Sequence, residues 1–329
     1  MIIDVHGHIT HPELFKRFPM PPALADIEGM LDRKAQAGIE LTIVGSPVGF
    51  GTMMPVPGLD NYAQPLDRLK SFHDWLADTV ATHRGRLAAY VYADPFGGDA
   101  MLEQTAATLR DGPFVGLIVN TSVKGRYLDA DEAAPFFEMA AELDVPIFLH
   151  PPAEPVGSAS LADFRLVEQV GRYVDVTVGV SALVFGGVLE RHPGLRFIAA
   201  TAGGATALLA SRLDLAYAPR HYGPGGGPPG NGAAKPAAKP GAAVANKISE
   251  PPSTYLRRIY VDTANSSVPN HLANLEVMGA DRILFGTDSP PLATPLEEAI
   301  GIVERLPVSA EDKRSILEGN ARELFKLGG

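Results

Sequence analysis

Eight short apolar runs recur along this chain, each followed by a longer stretch with helical spacing. That alternation limits the possible folds more than any other feature. The runs fall at residues 2–5, 41–45, 87–93, 115–119, 145–149, 196–200, 259–261 and 283–285. Short apolar runs bounded by turn residues read as buried strands. Helical patterns lie between them at 27–37, 66–82, 100–109, 132–143, 182–191, 205–216, 271–277 and 295–305, and 310–325 reads as one or two more. Strands that alternate with helices form a parallel sheet. Eight such units predict a single, closed (β/α)8 TIM-like barrel over residues 1–329. An open doubly wound sheet is the alternative. Its nucleotide-binding version lacks the G-x-G-x-x-G turn that should follow the first strand.

One segment breaks the pattern. Residues 223–249 contain almost no large apolar side chain, so they cannot offset the entropy of ordering. They are expected to form a flexible Gly/Pro/Ala-rich loop between the sixth helix and the seventh strand. An interdomain linker is the other reading. The stretch that follows, 250–329, supplies the last two strands, which favours a loop inside one domain. Its glycines are no phosphate cradle, because no GK[ST] accompanies them.

In a barrel, polar residues at the C-terminal ends of strands gather at one mouth. His6 and His8 stand two apart at the end of the first run, and side chains at i and i+2 of a strand share a face. His150 ends the fifth run, and Asp288 follows the eighth. Three neutral imidazoles and a carboxylate suit zinc or another divalent first-row ion. Taken singly, each is equally explained as a surface histidine or a loop cap. All four at strand ends favour one shared ion.

Composition narrows the partners. A formal net charge of -10 gives no basic face for nucleic acid, yet a local positive site for an anionic small molecule remains open. There is no cysteine, which excludes disulfides and thiolate ligands and fits a reducing, cytoplasmic setting. Asp4 interrupts the first apolar run, no basic segment precedes it, and no run of 18 apolar residues occurs. Neither a signal peptide nor a membrane span is expected. The expected partner is a small-molecule substrate.

Five motifs together resemble one family: DVHGH at 4–8, GLIVNTS at 116–122 leading to YLD at 127–129, PIFLHP at 146–151, LVFGGVLERHPGLR at 183–196 and GADRILFGTD at 279–288. They resemble the amidohydrolase superfamily, in the branch typified by aminocarboxymuconate-semialdehyde decarboxylase. The resemblance covers nearly the whole chain outside 223–249. It implies a distorted (β/α)8 barrel, one divalent ion, usually zinc with manganese as the alternative, and ligands at His6, His8, His150 and Asp288. It also implies a homodimer.

The chain departs from that branch at strand six. A histidine that serves as catalytic acid/base commonly stands there before a Gly-Gly pair; here Thr201 holds its place, before Gly203 and Gly204. A threonine hydroxyl hydrogen-bonds but does not titrate near neutral pH. Metal binding is therefore expected to persist while the proton route changes, with Asp288 and Thr201 as the catalytic candidates. His11 and His221 are candidates to replace the lost group. The loop 45–55 has no arginine or lysine for a substrate carboxylate. Lys124 and Arg126 can supply that charge or simply lie in a solvated loop. Phe50, Met53 and Met54 can line an apolar pocket or pack within their loop. Asp262 and Asn265 can form a polar wall of the site or cap strand seven.

The resemblance implies a metal-dependent, non-hydrolytic lyase, most simply a decarboxylase of an aromatic or unsaturated carboxylic acid. A hydratase or cyclase on a related skeleton is the nearest alternative, followed by a lactone or amide hydrolase. A non-catalytic, metal-stabilised binding protein is the reading outside enzymology.

Overall fold

A computed structural model of the chain describes residues 1–18, 20–54, 56, 58–161, 163–218 and 247–328. Eight strands form one sheet: β1 Ile2–Gly7, β2 Ile39–Val44, β3 Leu87–Tyr92, β4 Phe114–Asn120, β5 Ile147–His150, β6 Phe197–Ala199, β7 Tyr260–Asp262 and β8 Ile283–Leu284. Each pairs in parallel with the next in sequence order. Two backbone hydrogen bonds bring β8 back to β1: Val5 N–H donates to Phe285 O at 2.9 Å, and Asp288 N–H donates to His6 O at 2.7 Å. The result is a nearly closed (β/α)8 barrel, as the eight-fold alternation predicts. A two-stranded antiparallel pair, Ser122–Val123 with Arg126–Tyr127, follows β4.

Side chains alternate across the barrel wall. Ile3, Val5, Ile43, Tyr90, Ile118, Phe148, Ile198 and Leu284 share one buried cluster, and Ala321, Leu324 and Phe325 of the C-terminal region join it. The opposite faces, including Val91, Leu117, Val119, Leu149, Val261 and Phe285, pack with helix residues such as Phe136, Phe137, Val180 and Val184. The helices that cover the wall are α1 Ile27–Gln36, α2 Leu66–Thr82, α3 Asp99–Asp111, α4 Ala134–Glu142, α5 Arg172–Phe185, α6 Ala210–Tyr217, α7 Val268–Val277 and α8 Leu296–Glu304. Local caps fix several ends. Asp26 accepts from Gly29 N–H at 3.0 Å to start α1.

Two helices differ from expectation. The expected helix at 182–191 begins ten residues earlier, at Arg172, and ends at Phe185; a separate turn, Val188–Arg191, follows the break at Gly186 and Gly187. Residues 172–181, RYVDVTVGVS, carry β-branched residues and a glycine, which weaken helical propensity. Burial of Val176, Val180, Leu183 and Val184 against the barrel overrides it. The expected helix at 205–216 begins only at Ala210, after a series of turns.

Among the described residues no helix is long and apolar enough to cross a membrane. Of the expected loop 223–249, residues 223–246 lie outside the described residues. At its end Lys247 N–H donates to Phe185 O at 2.7 Å and Ser249 N–H to Glu190 Oε2 at 2.9 Å.

Candidate metal centre

The centre begins with an irregular first strand. Along β1 the register with β2 shifts between Asp4 and Gly7, so one extra residue is accommodated there. Such a bulge re-aims the side chains that follow. Asp4 meets Lys34 of α1 behind the wall, whereas His6 and His8 meet the ring of His150 with centroids 5.3 and 5.2 Å away. Gly7 between the histidines has no room for a side chain, because a Cβ there would sit 2.6 Å from Thr42 Cγ2. Gly286 performs the same service on β8's side: its Cβ would lie 3.0 Å from those of His6 and Asp262.

Each imidazole is oriented through Nδ1. His6 Nδ1 lies 2.6 Å from Asp262 Oδ2, His8 Nδ1 lies 2.8 Å from Gly45 O, and His150 Nδ1 lies 2.7 Å from Pro151 O. All three partners are acceptors, so the assigned tautomers carry the proton on Nδ1 and leave an Nε2 lone pair. These lone pairs converge. His6 Nε2 and His8 Nε2 are 3.2 Å apart, and Asp288 Oδ1 lies 3.0 Å from His8 Nε2 and 3.5 Å from His6 Nε2. One donor atom from each of His6, His8, His150 and Asp288 falls within 4.8 Å of the others. Lone pairs and a carboxylate gathered so closely repel unless a cation lies among them. The donor set therefore fits a divalent ion.

The clustered imidazoles and carboxylates also shift one another's protonation. Burial pulls His6 down, but the Asp288 and Asp262 carboxylates more than reverse it, so its pKa lies above the ordinary value. Burial, reinforced by His8 and His6, pushes His150 well below its ordinary value. For Asp288 burial opposes ionisation, yet the neighbouring imidazoles outweigh it and hold the carboxyl well below the usual range. Burial raises Asp262, with His6 offsetting part of the effect.

Behind the donors stands a second layer of fully buried charge. Asp4 Oδ1 accepts the backbone N–H groups of His6 and Thr287, each at 3.0 Å. Its Oδ2 accepts Lys34 Nζ and Thr287 Oγ1, each at 2.6 Å. This carboxylate, a mere interruption in the sequence pattern, ties β1 to the residue before Asp288 and to α1. Asp262 does comparable work: its Oδ1 also accepts Ala202 N–H at 3.3 Å and Ala264 N–H at 3.2 Å.

Backbone strain clusters at the same mouth. Thr201 (φ 52°), Ala202 (φ 57°), Gly203 (φ 71°) and Gly204 (φ 62°) are successive left-handed residues, and Asn265 (φ 52°) and Asp288 (φ 54°) join them. A β-branched residue in this region is an outlier, with strain on the order of 1–3 kcal/mol. Asn274 Nδ2 donates to Ala202 O at 3.1 Å and helps hold the segment. Thr201 Oγ1 donates to Ala200 O at 2.8 Å.

The donors open into a cavity of about 600 Å³, lined by His8, His150, Thr201, Asn265, Asp288, Arg172 and Tyr173, with Met20, Leu24, Val48, Met53, Met54 and Leu292 among its apolar residues. Asn265 Nδ2 donates to Asp288 Oδ2 at 2.7 Å. The expected candidates divide accordingly. Met53, Met54, Asn265 and Thr201 line the cavity. Phe50 does not; it is buried and packs against His11 with centroids 5.1 Å apart. Lys124 and Arg126 are also absent from the lining. Lys124 Nζ pairs with Asp60 at 2.6 Å, and the Arg126 guanidinium lies 4.0 Å from the Phe96 ring centroid. His11 caps the turn Pro12–Phe15 by accepting Glu13 N–H at 3.2 Å, and His221 lies outside the described residues. Arg172 and Tyr173 escaped the sequence reading because they occupy the missed half of α5. In the sequence, the position of Asp262 after an apolar run matches that of His150, and this is the signal that could find it.

The chain is 25% identical over 290 residues to the 2-amino-3-carboxymuconate-6-semialdehyde decarboxylase of Dictyostelium discoideum, covering 85% of this chain and 73% of that one. Its fold is similar to that of 5-carboxyvanillate decarboxylase from Sphingomonas paucimobilis, with a TM-score of 0.78 at 19% identity over 99% of both chains. It is likewise similar to a dihydroxybenzoic acid decarboxylase from Polaromonas sp. JS666 with bound manganese, with a TM-score of 0.77 at 21% identity over 99% of this chain and 97% of that one. The amidohydrolase family model matches residues 3–327, and the chain belongs to that family.

Proposed function

We propose that this protein is a metal-dependent, non-hydrolytic lyase that decarboxylates an aromatic or unsaturated carboxylic acid. The observation that carries the reading is the converging donor set of His6, His8, His150 and Asp288 at the foot of a largely apolar cavity. The relatives named as decarboxylases support the choice of reaction. His6, His8, His150 and Asp288 hold the ion; zinc is the first expectation and manganese the alternative. When bound, the ion supplies Lewis-acid polarisation of a substrate oxygen.

The remaining chemistry falls to the chain. The bond between the substrate's α-carbon and its carboxyl carbon breaks, and the electron pair stays on the carbon skeleton. Carbon dioxide leaves, and a proton takes its place. Asp288 is the nearest group able to carry that proton, with Asn265 orienting its Oδ2. Thr201 lines the wall and does not titrate, so it orients rather than transfers. The apolar side chains of Met53, Met54 and Val48 receive the ring or unsaturated chain.

The protein acts as a homodimer in the cytoplasm on this reading. Val170, Val174 and Val178, spaced four apart along one helical segment, are 42%, 48% and 39% exposed, which suits burial against a second copy.

The test is turnover of a hydroxybenzoate panel by metal-loaded protein in isotopically labelled water. Decarboxylation should release carbon dioxide and place solvent hydrogen in the product. Solvent oxygen in the product without carbon dioxide would overturn the reaction class. Elemental analysis of His150→Ala should show greatly reduced metal; unchanged content would remove that ligand from the set.

A further inference from the structure

An acid substrate brings a negative charge into the cavity, and the described lining offers one lysine or arginine to meet it, Arg172. Its Nε is buried and has no hydrogen-bond partner among the described residues. An unpaired buried donor is uncommon and calls for a partner. The nearest carboxylate, Glu168 on the preceding turn, is 3.9 Å from Nη1, beyond hydrogen-bond reach, and its side chain is half exposed.

The local fold aims this guanidinium. A single π-helical turn, Val167–Gly171, leads into α5. Such turns re-phase the side chains that follow and recur at functional sites. Here Glu168, Gln169, Arg172 and Tyr173 line the cavity. Tyr173 is fixed in turn, since its hydroxyl accepts from Asn270 Nδ2 at 2.7 Å. The other cations considered for this task are engaged elsewhere, Lys124 with Asp60 and Arg126 with Glu132 and Phe96.

We propose that Arg172 is the anion-binding residue of the cavity and receives a carboxylate of the ligand through its guanidinium. A guanidinium matches a carboxylate in charge and in the planar geometry of its donors. Glu168, 3.9 Å from Nη1, sets a competing negative charge beside the same guanidinium. The identity of the ligand as an acid rests on the decarboxylase reading; the anion site itself rests on Arg172.

The experiment measures binding rather than turnover. Metal-loaded protein is titrated calorimetrically with 2-hydroxybenzoate and with its neutral counterpart 2-hydroxybenzamide. The wild type should prefer the acid. Arg172→Gln should weaken the acid by about 10- to 100-fold, the loss of a hydrogen bond to a charged group, while the amide changes little and metal content is unchanged. Glu168→Gln should tighten the acid by about 1.5- to 5-fold, because it removes an exposed competing charge. If Arg172→Gln fails to fold, Arg172→Lys should retain part of the preference and Glu168→Gln still reads the site. Equal weakening of acid and amide, an unchanged acid affinity in Arg172→Gln, or a wild type without acid preference would each overturn the proposal. An absence of carbon dioxide release with the acid preference intact would instead remove the decarboxylase reading and leave the anion site standing.

Discussion

Asp262→Asn tests whether orientation of the histidines, rather than their mere presence, makes the metal site. The carboxylate is fully buried, with Oδ2 2.6 Å from His6 Nδ1 and Oδ1 accepting Ala202 and Ala264 N–H at 3.3 and 3.2 Å. An asparagine has the same shape but one oxygen. If that oxygen stays on the two backbone donors, the amide N–H₂ faces His6 Nδ1 and drives the ring to the other tautomer, placing a proton where the ligand lone pair belongs. If the amide turns over, two backbone donors face an N–H₂. Either arrangement leaves a buried group unsatisfied, at about 1–3 kcal/mol. Loss of such an orienting partner lowers metal affinity by roughly 10- to 100-fold, and 100-fold is about 2.7 kcal/mol by the affinity scale. Competition with a chromophoric chelator on metal-free protein should show this drop, with the circular dichroism spectrum unchanged. An affinity within twofold of wild type would refute the idea that Asp262 sets the His6 tautomer.

Burial pushes His73 and His271 down to about 4, so the fold holds both neutral while the unfolded chain titrates near 6.5. Their contribution to stability is complete above 6.5, drains as pH falls toward about 4, and is worth roughly 3 kcal/mol each; denaturant midpoints at pH 7 and pH 5 should show the loss, and His271→Asn should flatten the slope. Lys34→Met strands the buried Asp4 carboxylate, whose ion pair with Lys34 is 2.6 Å long, and should destabilise the protein by about 3–5 kcal/mol; a change under about 1 kcal/mol in urea unfolding would show that Asp4 is satisfied without it. Thr201→Ala should leave metal content intact, because all four donor atoms remain; loss of metal would make the hydroxyl a ligand.

The barrel was legible because its information is periodic. Every strand contains an apolar run, and the donor candidates His6, His8, His150 and Asp288 stand where those runs end. What the pattern hid is non-periodic. The bulge in β1 leaves no mark except a glycine between two histidines. The first half of α5 has the β-branched composition of a strand, and packing against the barrel decides its state. The left-handed run at 201–204 begins with threonine and alanine, residues that seldom adopt it, so no turn signal announced it. Lys34 reads as one more surface charge on α1 until the fold brings Asp4 beneath it. Arg172 was hidden for the same reason as the helix that carries it.

The seam between β1 and β8 has a consequence for the order of assembly. Asp288 N–H reaches His6 O, and the donor set draws on β1, β5 and β8, so residues near the two ends of the chain must meet before the set exists. Contacts of such wide sequence separation form late, after the loop entropy between them has been overcome. A nascent chain that has emerged only as far as β7 holds the three imidazoles of the donor set without Asp288, and its first strand has no closing neighbour. The segment from β8 onward therefore both shuts the barrel and completes the donor set. Ala321, Leu324 and Phe325 then enter the same buried cluster as Ile3 and Val5. Maturation of the site thereby waits on β8, however early its histidines are made.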